Sequence, residues 1–328
     1  MESFVFAVNA VAPIILTVAV GYVLKKIGLM NASLAKSVNK LVFHVFLPVM
    51  LFLNIYKIHD ITQIELGYVG YVMIMLLAIF LIALPISMLT TKQSERRGVL
   101  WQAMFRSNFA LIGIPLAVSL FGEQGGIVAS LLSAATVPAL NILAVISLSV
   151  FRKDDGRVGI KNILLDIIKN PLIEGVFLGI VFLCVKALFV RYGIEFRLSD
   201  IKPVYTVLGY LSSLATPLAL LCLGAQFEFS AVKELRKEIF VGTLVRTAIV
   251  PILGIGTAVL LFRSSFSGAH FAAFIAIFAT PVSVSSVPMT QEMGGDATLA
   301  GQFVVWTTVI SAFTIFTVSF LLKAIGIF

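Results

Sequence analysis

The chain has 328 residues, 59% of them apolar and only 12% charged, with a formal charge of +8. A soluble domain carries about 25% charged residues and about 45–50% apolar ones, so a water-soluble body of this size is excluded and an integral membrane protein is expected. The basic residues, which in a soluble protein would suggest nucleic acid, lie between apolar runs, where they set orientation; no nucleic-acid partner is expected.

One crossing of a bilayer takes roughly 20 apolar residues. Ten candidate spans follow in order, near 4–24, 37–56, 67–90, 98–121, 126–151, 171–190, 203–224, 239–262, 268–291 and 298–325. They are expected to be helices, because a lipid-facing backbone has to satisfy its own hydrogen bonds and no barrel-like alternation occurs. The first run has no basic leader and ends in Lys25 and Lys26 rather than at a small-residue cleavage site, so it reads as a retained helix. Lys25, Lys26, Lys36, Lys40, Lys92, Arg96, Arg97, Lys233, Arg236 and Lys237, with the basic residues of 152–170, follow odd-numbered spans. By the positive-inside rule both termini lie outside, and the connection 153–170 is cytoplasmic. Cys184 and Cys222 fall inside spans and read as buried thiols.

Prolines and glycines recur in step. Pro13 precedes Gly21 by eight residues and Pro171 precedes Gly179 by eight; Pro48 and Pro217 sit mid-span; Pro115 precedes Gly122 by seven and Pro288 precedes Gly295 by seven. Chance recurrence of residues common in membrane helices is the plainer alternative. The shared order and spacing predict instead two five-helix repeats, 1–152 and 171–328, the second inverted because five is odd. The expected fold is thus an all-α integral membrane protein of ten transmembrane helices, with helices four and nine broken at a proline crossover. Inverted repeats of this kind are found in secondary transporters.

Span four carries Phe105 to Pro115 and span nine Phe278 to Pro288, both near the bilayer midplane. Proline disfavours helix at the residue before it, and Gly113, Pro281 and neighbouring hydroxyl residues loosen these stretches further. Each is predicted to unwind and resume as a half-helix, with Pro115 and Pro288 at its first position. Free amides at such an N-terminus favour an anion, and Asn108, Ser283, Ser285 and Ser286 add polar partners; a simple proline kink is the competing reading. Arg106 either pairs a substrate carboxylate in a bidentate fork or snorkels, and Arg246 reads as snorkelling. His44 either carries a coupling proton or satisfies a neighbour. Asp296 reads as a helix cap, and Gly175 with Gly179 as a packing surface. No catalytic constellation, metal set or phosphate loop occurs, so no enzyme activity, cofactor or metal is expected.

The runs Gly21-Tyr22 to Gly28, Asn39-Lys40-Leu41-Val42-Phe43 leading to Pro48, Arg106-Ser107-Asn108-Phe109 leading to Pro115, Pro217 to Gly224-Ala225, and Pro281 to Met289 with Gly295-Asp296 occur in this order. Together they resemble the auxin efflux carrier family, over nearly the whole chain and in its bacterial, malate- or malonate-carrier-like form; the wider superfamily takes in bile-acid, arsenite and riboflavin transporters. The resemblance implies that spans four and nine cross at their prolines. It also implies a scaffold of spans 1, 2, 6 and 7, a moving transport domain of spans 3–5 and 8–10, and a role for Asn108 in anion binding. The chain departs from the plant exporters in its short 152–170 connection, in Arg106-Ser107 just before the asparagine and in the run Pro281 to Ser286 of the second crossover, and these differences favour a small carboxylate.

The expectation is therefore a secondary transporter in the cell membrane that moves a small organic anion, a mono- or dicarboxylate, by alternating access. An anion-binding membrane sensor that moves nothing is the alternative, with a lipid-acting membrane enzyme behind it. Coupling to H+ or Na+, uniport, and assembly as a homodimer stay open.

Overall fold

The computed structural model describes residues 2–58, 65–152 and 159–328, and every regular element among them is a helix. Glu2–Lys26 forms α1. Asn31 caps the next helix, its side-chain oxygen accepting from the Leu34 amide at 2.8 Å. Ala32–Leu41 (α2) and Leu47–Tyr56 (α3) are joined through a π turn at Val42–Phe46. Leu66–Thr90 (α4) is unbroken, and Ser94–Phe105 (α5) precedes a gap, a π turn at Phe109–Gly113 and Ile114–Ser149 (α6). The short Ile160–Ile168 (α7) leads to Pro171–Arg191 (α8) and Lys202–Gln226 (α9). Ala231–Leu244 (α10) runs through π turns at Val245–Ile249 and Ile252–Gly256 into Thr257–Phe262 (α11). Gly268–Phe278 (α12), Ser286–Glu292 (α13) and Ala297–Ala324 (α14) complete the chain.

Seven continuous helical runs among the described residues are long and apolar enough to cross a membrane. Three lie within a residue or so of the predicted spans: Leu66–Thr90, Pro171–Arg191 and Ala297–Ala324. The 41-residue run Phe109–Ser149 is two helices, because Phe121 (φ −140°, ψ 27°) and Gly122 (φ 59°, ψ −154°) leave helical geometry between them. Only glycine takes up such a positive φ readily, which places the turn between the predicted fourth and fifth spans at this residue.

The π turns have a local cause. Those at Val42–Phe46, Phe109–Gly113 and Val245–Ile249 each end two residues before a proline, at Pro48, Pro115 and Pro251. A proline ring clashes with the carbonyl four residues back and offers it no N–H, and widening the preceding turn accommodates both effects.

Among the close helix pairs, α1 packs on α9 and α3 on α8, while α12 packs on α6, α5 on α4 and α10 on α14; α1 also packs on α14 and so joins the two sets. Glycine allows the closest approaches. A Cβ on Gly224 would lie 2.0 Å from the Val18 carbonyl oxygen, one on Gly21 would lie 2.2 Å from that of Leu221, and one on Gly175 would lie 2.4 Å from that of Pro48. The predicted packing role of Gly175 and Gly179 therefore acts on α3. Arg96 joins α5 to α10 and α14, paired with Glu234, with Glu238 at 3.7 Å and with Asp296 at 3.0 Å. Asp296 also caps α14 as predicted, accepting from the Leu299 amide at 2.9 Å. The expectation of two buried thiols holds for Cys222 alone; Cys184 is exposed on the outward side of α8.

Candidate functional site

Two helices stop in the middle of the molecule and their loose ends meet. After α5 the chain leaves helical geometry at Arg106–Asn108, and after α12 it is irregular from Ala279 to Ser285. The two stretches pair as one antiparallel bridge between Ser107 and Val282. The Asn108 amide donates to the Pro281 carbonyl at 2.8 Å and the Ser283 amide to the Arg106 carbonyl at 3.3 Å. This pairing answers the backbone groups that unwinding exposes, as burial demands. Only Pro281 of the crossover prolines lies in a break. Pro115 falls within the second turn of the resuming helix and Pro288 is the third residue of α13, so neither opens its half-helix as the sequence reading expected. The physical reason is that the widened turn ahead of Pro115 keeps the backbone helical back to Phe109.

Around this bridge opens a cavity of about 790 Å³. Of the predicted site residues, Arg106, Asn108, Pro115, Ser283 and Ser285 line it. Gly113, Pro281, Ser286 and Pro288 stand behind the wall. A Cβ on Gly113 would lie 2.5 Å from the Ala276 carbonyl oxygen, so this glycine lets α12 approach. His44 is exposed away from the cavity, with Nδ1 2.9 Å from the Lys40 carbonyl on its own helix.

Arg106 is buried and does not snorkel. One terminal nitrogen donates to Gln102 Oε1 at 2.6 Å and to Met289 Sδ at 2.8 Å, the other to Asn141 Oδ1 at 2.8 Å and to Ser285 Oγ at 3.0 Å. Every one of these partners is neutral. Of the two readings the sequence left open, fork or snorkelling, neither holds as it stands: the terminal nitrogens are already committed to the protein, and the charge lies at the cavity wall. Beside it, Asn108 Nδ2 and Ser107 Oγ are buried without hydrogen-bond partners. The first amides of the turn beginning at Phe109 have no helical carbonyl behind them either, as at any helix N-terminus. Donors without acceptors and an uncompensated guanidinium together make an electropositive pocket suited to an anion.

Arg246 is the largest correction to the sequence reading. It is 1% exposed and does not reach an interface. Its Nε donates to the Thr280 carbonyl at 2.9 Å; its terminal nitrogens donate to the carbonyls of Ile277 at 2.9 Å, Thr280 at 2.7 Å and Phe105 at 3.3 Å. One side chain thus caps the C-terminal ends of both interrupted helices, where each macrodipole carries about half a negative charge.

The facing wall comes from the other helix group: Pro13, Ile14 and Thr17 of α1, Leu47, Met50, Leu51 and Asn54 of α3, and Ser212 to Leu220 of α9. Sequence reasoning missed these residues, and missed Gln102 and Asn141, whose amides stand out in apolar spans four residues before and 35 after Arg106. The cavity reaches Asn9 in the first half of α1. Towards the other end of α1, where Lys25 donates to the Phe227 carbonyl at 3.4 Å, an amide knot ties α2, α9 and α13 together beside a smaller cavity of about 330 Å³. Asn39 Nδ2 donates to Gln291 Oε1 at 3.1 Å and Gln226 Nε2 to the same oxygen at 3.4 Å, while Gln291 Nε2 donates to the Lys36 carbonyl at 3.2 Å.

Comparison with known proteins points to a family of transporters. The family profile described as "Membrane transport protein" matches residues 6–160 and 156–319. An uncharacterized transporter of Methanothermobacter thermautotrophicus is 22% identical over 329 residues, covering 94% of this chain and 96% of that protein. The uncharacterized transporter MJ1031 of Methanocaldococcus jannaschii is 28% identical over 234 residues, covering 69% of this chain and 70% of its own.

Proposed function

The chain belongs to the membrane transport protein family, the one that includes the auxin efflux carriers, and on that premise we propose that it is a secondary carrier moving a small organic anion by alternating access. The observation that carries this reading is the cavity at the paired breaks, where Arg106 supplies unneutralised positive charge and Asn108 Nδ2 and Ser107 Oγ lack acceptors. A buried donor left unpaired costs about 1–3 kcal/mol, and an anionic ligand removes that cost.

The multi-pass protein is read as ten spans in two inverted copies, both termini outside the cell. The helix contacts support that symmetry. Gly179 approaches Phe52 and Ile55 just as Gly21 approaches Leu221, and the displacements between the two pairs, 179 − 21 = 158 and 221 − 52 = 169, match those of the prolines Pro13/Pro171 and Pro48/Pro217. The division into a scaffold of α1–α3, α8 and α9 and a moving block of α4–α6 and α10–α14 is supported by the cavity, whose two walls come from these two sets. Amides tie the elements together towards one end while the larger cavity lies at the crossover, an asymmetry that supports reading the structure as one state of an alternating carrier.

The test is counterflow. Purified protein in liposomes preloaded with an unlabelled carboxylate should accumulate the labelled one transiently, with saturable rates. Binding without counterflow would favour the sensor reading instead, and neither binding nor counterflow would remove both.

A further inference from the structure

The connection between α6 and α8 holds a short helix that the rest of the chain leaves uncovered. No residue of α7 is buried, although six of its nine residues are Ile or Leu. One side of it is fixed against the protein: Ile167 packs on the core, and Asp166 accepts from Arg152 Nη1 with both carboxylate oxygens, at 3.1 and 3.0 Å. Ile160, Leu164 and Ile168, spaced by four, line another side as a stripe and are 78%, 53% and 66% exposed. A helix that turns one apolar stripe outward beside polar residues is built to lie on an apolar surface.

What covers the stripe follows from where the chain goes next. Asn170 caps α8, its Oδ1 accepting from the Leu172 amide at 3.0 Å, so only Lys169 and Asn170 separate α7 from a membrane span. The flank of that span, with Phe177 63% exposed, is turned to lipid. A helix tethered this closely stays at the bilayer surface. Charge points the same way: residues 152–170 carry five basic side chains against three acidic ones, and Asp166 is already paired with Arg152. Lys161, seven residues before Ile168 and so on the same edge, and Lys169 just after it are both exposed. We infer that α7 lies in the plane of the membrane, its stripe among the upper acyl chains and Lys161 and Lys169 on anionic lipid headgroups. Because α7 touches both α6 and α8, the joint between the moving block and the scaffold then rides on the lipid surface. The inference goes beyond the carrier reading and does not depend on what the cavity carries.

The experiment measures depth. Ile160→Cys, Asn162→Cys, Leu164→Cys and Ile168→Cys are made singly in full-length protein carrying Cys184→Ser, and each is tagged with a nitroxide; Cys222 is buried, and Cys184→Ser alone serves as the unlabelled blank. All four positions are exposed, so the substitutions probe placement rather than folding. In nanodiscs of phosphatidylcholine with phosphatidylglycerol, collision of the label with oxygen, which concentrates in lipid, is compared with collision with a water-soluble nickel chelate. Labels at 160, 164 and 168 are expected to favour oxygen several-fold more than the label at 162, and the label at 164 to lie about 5–10 Å below the lipid phosphates. In phosphatidylcholine alone it should rise towards the surface, and Lys161→Gln with Lys169→Gln should abolish that lipid dependence. A stripe open to the chelate would place α7 in water and overturn the inference. A stripe shielded from both reagents would overturn it too, in favour of a covering protein, whether a second copy or another chain. Equal depth in both lipids would overturn the assignment of the two lysines to anionic headgroups. Labels at the expected depth in a protein that shows no counterflow would uphold the inference and remove the carrier reading.

Discussion

Replacing Arg246 by Met, which keeps an apolar stem of similar reach and deletes the guanidinium, tests how the crossover is held. Three buried carbonyls lose their donors: Phe105, Ile277 and Thr280, the last accepting twice. At about 1–3 kcal/mol per orphaned group the gross loss is about 3–9 kcal/mol. Two helix C-termini of about −0.5 charge each also lose the single positive charge that balances them. Against this stands the recovered cost of burying a charge, several kcal/mol in real proteins, so a net loss of about 3–4 kcal/mol is expected. A thermal melt of the purified variant should therefore fall by about 6–16 °C, at about 2–4 °C per kcal/mol. Anion binding should weaken with it, because the bridge between Ser107 and Val282 is built on the ends that Arg246 holds. Arg246→Lys, which reaches fewer of these carbonyls, should lie between the two. A methionine variant that melts like wild type and binds anion unchanged would show that the bridge and packing hold the junction unaided.

Asn108→Ala should lower anion affinity at least tenfold, about 1.4 kcal/mol, with little change in melting temperature, because its Nδ2 makes no bond within the protein to lose; unchanged affinity in a binding titration would remove it from the site. Gly224→Ala drives a Cβ to 2.0 Å from the Val18 carbonyl oxygen and should cost about 1–3 kcal/mol of stability. Gly256→Ala, with nothing within 4 Å, should be neutral or slightly stabilising in the same melt. Gln291→Ala removes the shared acceptor of Asn39 and Gln226 and should raise the rate of counterflow, as read by initial uptake, if opening of the knot limits turnover; an unchanged rate with unchanged affinity would place the limiting step elsewhere.

Long apolar runs such as Leu66–Thr90 and Pro171–Arg191 were legible because a membrane span needs only length and hydropathy. The breaks were legible in place but not in detail. Proline and polar residues marked Phe105–Pro115 and Phe278–Pro288, but the widened turn at Phe109–Gly113 let the helix resume before Pro115. Arg246 was misread because sequence shows how far a residue lies from a span end and not which carbonyls surround it. The bond from Arg106 to Asn141 joins residues 35 apart, and the wall of α1, α3 and α9 comes from still more distant segments, so neither has a local signature.

The main chain stitches the crossing strands at Ser107 and Val282, with the Asn108 and Ser283 amides supplying the thread. Any residue other than proline brings the same peptide groups to those positions. Side chains at 107, 108, 283 and 285 can therefore be exchanged in evolution without undoing the seam, which makes this place suited to divergence in cargo among descendants that keep one architecture.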